Sequence, residues 1–310
     1  MRSPVHLFAD DPKQARFLAL VADVRPDLHR YCARMTGSVV DGEDIVQETL
    51  ARAFQESHVF LDAEGESRGA GLRRWLFHVA HRQAIDYLRR YERRMGRPLD
   101  DDDQPSAEND AGGEEAVIRE EAVHAAIARF LELPPVQRSC VVLRDVLGHS
   151  AEEVGALLGI GVPAVKSALH RGRESLGRKR AKAEHEPVAP TGSAVSPTLA
   201  QYAALFEARD WDGVRALLTD DVRLDLVSRA QRSGRRDVST YFTNYAGLRG
   251  WHVRPAWLEG EEVLAVFLHD EPAPAYLVRL TLRGSLVAAI RDFRYVPYIT
   301  RDAAVEIVVD

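Results

Sequence analysis

Cysteine is nearly missing from this sequence: Cys32 and Cys140 are the two in 310 residues. Two isolated thiols with no CxxC spacing exclude a disulfide framework and a four-ligand zinc site. Their apolar helical settings point to buried, inert thiols suited to a reducing compartment. The eleven histidines are scattered and none pairs with a second ligand at metal spacing, so neither a metal site nor a cofactor is expected. Long apolar runs are missing too. No stretch approaches the roughly 18 residues a membrane span needs. The N-terminus, MRSPVHLFADDPK, lacks the apolar core and small-residue cleavage site of a signal peptide. A cytoplasmic protein with no membrane partner is expected. Positive charge is not in excess either: 41 Lys+Arg against 47 Asp+Glu give a net −6, so bulk charge does not announce nucleic acid.

What is present is an ordinary globular composition, 45% hydrophobic and 28% charged. Its 310 residues suit two domains of roughly 150 residues or three smaller ones. Two stretches read as linkers. Residues 98–115, PLDDDDQPSAENDAGGEE, hold eight acidic residues and no basic one, with Leu99 the single large apolar side chain. Such a segment cannot bury enough surface to offset ordering entropy. Residues 183–197, rich in proline and small polar residues, read as extended. The division is 14–96, a linker 97–115, 116–182, a linker 183–197, 198–300 and a tail 301–310.

The first piece is helical. Ile45, Thr49, Leu50, Ala53 and Phe54 recur at helix spacing, with Asp41, Glu43, Asp44, Gln47 and Glu48 on the remaining faces. Leu72, Trp75, Leu76, Val79, Ala80, Ile85 and Leu88 form a second stripe, and the three glycines of 62–71 mark a loop between them. Residues 68–97 carry nine arginines, His78 and His81, interleaved with Trp75, Phe77, Tyr87 and Tyr91. Cations that track a backbone and rings that stack on bases suit single-stranded DNA. A plain alternative makes Trp75 a core residue.

The second piece is helical as well: an amphipathic helix over 117–131, a break at Leu133-Pro134-Pro135, and a helix from Val136 to Leu147 ended by Gly148. Then comes a helix-turn-helix. Ser150 with Glu153 is a capping box, Gly159 stops the helix, and Pro163 opens the next. Val165, Ala168, Leu169, Gly172 and Leu176 face inward, leaving Lys166, Ser167, His170, Arg171 and Arg173 on or beside the outer face. From 166 to 182 there are seven basic residues and one acidic residue, Glu174. A helix of long cationic donors suits the major groove. A helical hairpin with a solvated face is the bland alternative.

The third piece opens with helical pattern and turns to alternating runs at 222–227, 251–258, 263–268, 275–282 and 286–295, with turns at Gly260 and Gly284 and a helix over 236–246. This predicts an α+β domain with one curved sheet of antiparallel strands. Asp225, Tyr241, His252, Tyr276 and Asp292 are its candidate polar pocket residues, but their spacing singles out no reaction. Asp292, beside Arg291 and Arg294, reads as a salt-bridged strand residue.

The first two pieces resemble the extracytoplasmic-function (ECF) sigma-70 family. Asp41-Gly42-Glu43-Asp44-Ile45-Val46-Gln47-Glu48 resembles the acidic signature of its region 2, and Trp75-Leu76-Phe77-His78-Val79-Ala80-His81-Arg82 with Asp86 and Arg89-Arg90 resembles its tryptophan block. Leu133-Pro134, Val141–Arg144 and the helix-turn-helix ending His170-Arg171-Gly172-Arg173 resemble region 4. The fold implied is two all-α sigma domains followed by an α+β cone. The resemblance implies a non-enzymatic specificity subunit that binds core RNA polymerase through Asp41, Asp44, Gln47 and Glu48. It implies −35 duplex reading by Lys166, Ser167, His170, Arg171 and Arg173. It implies a −10 single-strand surface at Arg68, Arg73, Arg74, Trp75, Arg82, Arg89 and Arg90. The acidic linker would pass through the polymerase as a nucleic-acid mimic. Two departures stand out: the family asparagine is Arg82 here, and Ala164 replaces a threonine at the start of the recognition helix.

The third piece resembles the SnoaL-like group of the NTF2-like fold, through Asp210-Trp211-Asp212, Asp220-Asp221-Val222 and Ile290–Arg294. It lacks the DGGGK motif of one such subgroup, reading Ser228–Gly234 there. The resemblance implies regulation in cis, with a small ligand as a further partner. Two other readings stand beside this one: a one-component ligand-sensing regulator, and a SnoaL-like enzyme with a DNA-binding appendage. Neither explains the region 2 block.

Overall fold

The computed structural model describes residues 12–56, 67–95, 130–131, 133–183, 194–247, 249–269, 271–301, 303 and 305–308. They fall into two compact units, one before residue 189 and one after it. The two linkers read from the sequence lie almost wholly outside the described residues, as does the helix expected over 117–131 apart from its last two residues.

The first unit is all-helical: α1 (Pro12–Thr36), α2 (Val39–Gln55), α3 (Ser67–Met95), α4 (Pro135–Val141), a π-turn (Val142–Val146), α5 (Ala151–Leu158) and α6 (Val162–Ala183). Ser38 caps α2 by accepting the Asp41 N–H at 3.2 Å. Pro135 opens α4 at a position where its missing N–H costs nothing. The expected helix from Val136 to Leu147 is instead a short α-helix followed by the π-turn. One core runs through the whole unit. It joins Leu28, Tyr31 and Met35 of α1, Val46 of α2, Leu76 and Phe77 of α3, Cys140 to Leu143, Val154 and Leu157 of α5, and Val165 and Leu169 of α6. Cys32 and Cys140 are buried free thiols, and burial pushes both above the ordinary thiol range.

Glu43 departs from the sequence reading. It was expected on an outer face of α2, but it is fully buried. Arg25 of α1 donates to it at 2.6 Å and the Gln47 amide at 2.7 Å, so its charge is paired where water is excluded.

The second unit stacks α7 (Pro197–Glu207), α8 (Trp211–Ala216) and α9 (Arg235–Ala246) on a seven-stranded sheet. The strands are β1 (Leu218–Leu226), β2 (Ala230–Ser233), β3 (Trp251–Leu258), β4 (Glu261–Leu268), β5 (Tyr276–Arg283), β6 (Leu286–Asp292) and β7 (Val305–Ile307), in the order β2-β1-β6-β5-β4-β3-β7. Most neighbours are antiparallel as expected, but β1 runs parallel to β6. Register shifts in β1–β6 and β5–β6 mark bulges, which bend strands. Leu199, Tyr202 and Phe206 of α7 and Val238, Tyr241, Phe242 and Tyr245 of α9 pack on Val222, Leu224, Val253, Leu264, Val278 and Ile290 of the sheet. This is the helix-backed sheet that the NTF2-like resemblance implies.

Candidate nucleic-acid interface

The helix-turn-helix forms as its sequence demands. Ser150 Oγ accepts the Glu153 N–H at 3.1 Å, and Glu153 Oε2 accepts the Ser150 N–H at 2.7 Å, closing the capping box. That backbone bond is the main reason the Glu153 carboxyl titrates below its ordinary range. Gly159 ends α5 at φ 71°, a left-handed conformation glycine adopts without steric cost. On α6, Val165, Ala168, Leu169 and Gly172 are buried, while Lys166 and Arg173 are exposed and Ser167, His170 and Arg171 half-buried. Arg173 is occupied: it makes a bidentate pair with Asp145 of the π-turn, at 3.0 and 2.6 Å. It therefore braces α6 on the preceding turn. Gly172 is a close-approach site, since a Cβ there would lie 2.8 Å from Val141 Cγ2.

Helix α3 supplies the second cationic surface. Arg74, Arg82, Arg89 and Arg90 are exposed. Arg73 is turned inward: it donates to Asp27 Oδ2 at 2.8 Å and lies over the Phe77 ring at 5.2 Å. Trp75 is half-buried and packs against the core. The Arg68 side chain lies outside the described residues. A groove of about 240 Å³ opens on this helix, lined by His81, Arg82, Ile85, Asp86 and Arg89. Asp86 was not among the candidate residues. Its signal in the sequence was its i+4 spacing from Arg82, which puts both on one face.

The acidic residues of α2 divide. Asp44 and Glu48 are exposed, with Glu48 paired to Arg52 at 3.0 Å. Asp41 and Gln47 are half-buried, and Asp41 Oδ2 accepts the Tyr87 hydroxyl at 2.7 Å. Among the described residues, no group of three His, Cys, Asp or Glu could hold a metal ion.

A buried polar joint ties these helices together. Tyr31 Oη lies 2.8 Å from His81 Nδ1 and donates to Ser139 Oγ at 3.0 Å, and Ser139 Oγ lies 3.1 Å from the same His81 nitrogen. Burial, with a smaller effect from His78, holds His81 down to about 4. The folded form thus resists a proton that the unfolded chain accepts near 6.5. Stability from His81 is present in full above pH 6.5 and is lost as the pH falls to about 4, a difference of about 3 kcal/mol. Thermal melts of the full chain at pH 7 and pH 5 should therefore show a fall that His81→Gln reduces, the remainder belonging to His149, which burial also holds below its ordinary range. An equal fall in both proteins would place the acid sensitivity elsewhere.

Residues 20–94 match the family model for sigma-70 region 2, and residues 124–176 match that for sigma-70 region 4. The ECF RNA polymerase sigma factor SigW of Bacillus subtilis is 30% identical over 175 residues, covering 54% of this chain and 89% of that protein. The chain belongs to the ECF sigma factors. The ECF sigma factor SigG of Mycobacterium tuberculosis is 29% identical over 307 residues, covering 90% of this chain and 74% of SigG, so that similarity includes the second unit. The crystal structure of the M. tuberculosis ECF sigma factor SigJ aligns with 90% of this chain and 95% of its own, at 22% identity and a TM-score of 0.33. Sigma factors start transcription and are not enzymes. No helix among the described residues of this sigma factor is long and apolar enough to cross a membrane.

In the second unit of the sigma factor, three of the five sequence candidates meet. Asp292 is fully buried. Its Oδ2 accepts the Tyr241 hydroxyl at 2.8 Å and the Tyr245 hydroxyl at 2.9 Å, and its Oδ1 accepts the Arg294 N–H at 2.8 Å. Tyr276 reaches the Tyr245 hydroxyl at 2.9 Å. Among the described residues Asp292 does not form the expected side-chain salt bridge: the adjacent Arg291 pairs with Asp225 at 3.2 Å, and Arg294 meets Asp292 through its backbone N–H. Alternation along β6 explains this, because neighbouring residues face opposite sides of a strand. His252 is exposed beside Glu207. Burial pushes Asp292 above its ordinary range and pushes Tyr241, Tyr245 and Tyr276 up as well, the last to about 12.

Proposed function

We propose that this ECF sigma factor docks on core RNA polymerase through Asp41, Asp44, Gln47 and Glu48 of α2 and reads the −35 duplex with α6. In this reading α3 holds the melted −10 strand, with Arg74, Arg82, Arg89 and Arg90 as its outer contacts. The capped and glycine-stopped helix-turn-helix is the observation that supports this best. Its buried face is apolar, and its outer side carries exposed Lys166 with half-buried Ser167, His170 and Arg171 beside it. Lys166 suits phosphate or a base edge, and Arg171 suits a guanine edge. The division into region 2 over 14–96, region 4 over 116–182 and a regulatory domain over 198–300 belongs to the same reading.

The second unit acts in cis on core binding or promoter opening. A small ligand would find its address at the Asp292 cluster, where the buried Tyr202 hydroxyl has no hydrogen-bond partner among the described residues. Occupancy would act only by favouring one conformation over another.

Run-off transcription with bacterial core polymerase tests this, comparing the full chain with a version ended near Glu184 on a promoter library. Transcripts sharing one promoter motif are expected, and the ratio of the two versions gives the sign of the cis effect. Duplex binding without any transcript would favour a one-component regulator. Arg171→Ala should weaken −35 recognition by about 1–3 kcal/mol, the scale of one bidentate base contact. Unchanged selectivity across −35 variants would remove Arg171 from the reading face.

A further inference from the structure

The groove on α3 holds a donor and an acceptor side by side, and general affinity for phosphates does not account for that pairing. Cations alone would serve a backbone. At about 240 Å³ the groove is smaller than the roughly 300–1,000 Å³ of sites that enclose whole ligands, and it suits one flat ring. Half-buried Ile85 gives it an apolar floor, while Arg82 and Asp86 are exposed one turn apart on the same face. Asp86 is not tied down: its contact with Arg89 is 3.9 Å long, and both side chains are more than 60% exposed, so that pair contributes little.

We propose that this groove takes one unstacked base of the melted strand and selects guanine, with Asp86 and Arg82 as the reading pair. The proposal rests on the promoter-binding reading above. A carboxylate only accepts and a guanidinium only donates. Guanine carries two adjacent donors, N1–H and the 2-amino group, next to the acceptor O6. Asp86 takes the two donors, and Arg82 serves O6. Cytosine offers one amino group followed by two acceptors, so one acceptor would face the second carboxylate oxygen. Thymine sets a carbonyl on each side of its single N–H, with the same repulsion. Adenine has one amino group beside a bare ring nitrogen. The family asparagine at position 82 both donates and accepts, so it imposes no such polarity. Arg82 does.

The test uses the full chain with bacterial core polymerase and run-off transcription from promoters randomised through the melted −10 strand. One position should favour guanine about tenfold, the scale of a bidentate base contact. Arg82→Asn and Asp86→Asn should each erase that preference while leaving the other positions unchanged. Another base at every position, or a guanine preference that survives both substitutions, overturns the proposal. No transcript from the unaltered protein instead refutes the promoter-binding reading itself. A second measurement needs no variant. Inosine lacks the 2-amino group, so inosine at that position should weaken binding of a pre-melted promoter about fivefold. Equal binding of inosine and guanine also overturns the proposal.

Discussion

Replacing Arg138 with methionine is expected to cost the helical unit about 3–5 kcal/mol of stability. The Arg138 side chain is among the largest that are fully buried. Its guanidinium donates to three backbone carbonyls: Met35 at 2.5 Å, Leu131 at 2.5 Å and Leu133 at 3.0 Å. Met35 lies in the last turn of α1, where carbonyls have no partner within the helix and the helix dipole is negative. One cation thus satisfies a helix end and the turn leading into α4. Methionine keeps much of the volume but strands the buried Met35 and Leu133 carbonyls away from water. Arg138→Lys should recover only part of the loss, because a point donor cannot serve three divergent acceptors. Chemical denaturation of the full chain measures both, and a loss under about 1 kcal/mol for methionine would show that the carbonyls find other partners.

Asp292→Ala should destabilise the sheet unit by a similar amount, about 3–5 kcal/mol. It removes the acceptor of two buried tyrosine hydroxyls and of the Arg294 N–H. Asp292→Asn should cost much less. Its amide oxygen still accepts from both tyrosines and the buried charge is gone, so the Arg294 N–H is the one donor that loses its acceptor. The pH dependence runs opposite to that of His81. Because burial raises Asp292, its contribution is present in full at pH below the unfolded carboxyl value of 3.8 and is lost as the pH rises through the higher folded value. Asp292→Asn should remove that component. Melting curves in which alanine and asparagine are equally damaging would show that the hydroxyls need the charge and not merely an oxygen.

These two sites also mark where the sequence is readable and where it is not. Local rules were legible. The Ser150–Glu153 box, the stop at Gly159 and the inward set follow from contacts within a few residues: Val165, Ala168, Leu169 and Gly172 are buried and Leu176 is half-buried against the core. The turns at Gly260 and Gly284 lie at positive φ, as expected of tight turns between strands. The misses are long-range. Glu43 and Arg25 are eighteen positions apart, and nothing in the spacing of α2 says that one of its five polar residues is swallowed by α1. Strand β2 was missed because its four residues are nearly all exposed and carry no hydrophobic alternation. The parallel β1–β6 pair is invisible because β-propensity carries no direction. Asp292 was misassigned for a related reason: Arg291 looked like a partner, whereas the strand turns it to the other face, and Arg294 meets Asp292 through its backbone N–H while its guanidinium lies over the Tyr245 and Tyr276 rings. On α3 the arginine count was informative, but it could not tell Arg73, half-buried and held by Asp27, from Arg82, facing the groove.

The packing under α6 has a practical consequence for retargeting. Its buried face is fixed by shape: Val165, Ala168 and Leu169 fill the core, and Gly172 leaves no room for a methyl group beside Val141. Its bracing is fixed as well, because Arg173 is held by Asp145. Of the outer positions, Ala164 and Lys166 are exposed and Ser167, His170 and Arg171 half-buried, and none belongs to that fixed set. Scaffold and address are therefore written on separate residues of one helix. Combinatorial libraries confined to those five positions should yield folded variants with new −35 preferences, whereas substitutions at position 172 should lower stability, because a Cβ there meets Val141.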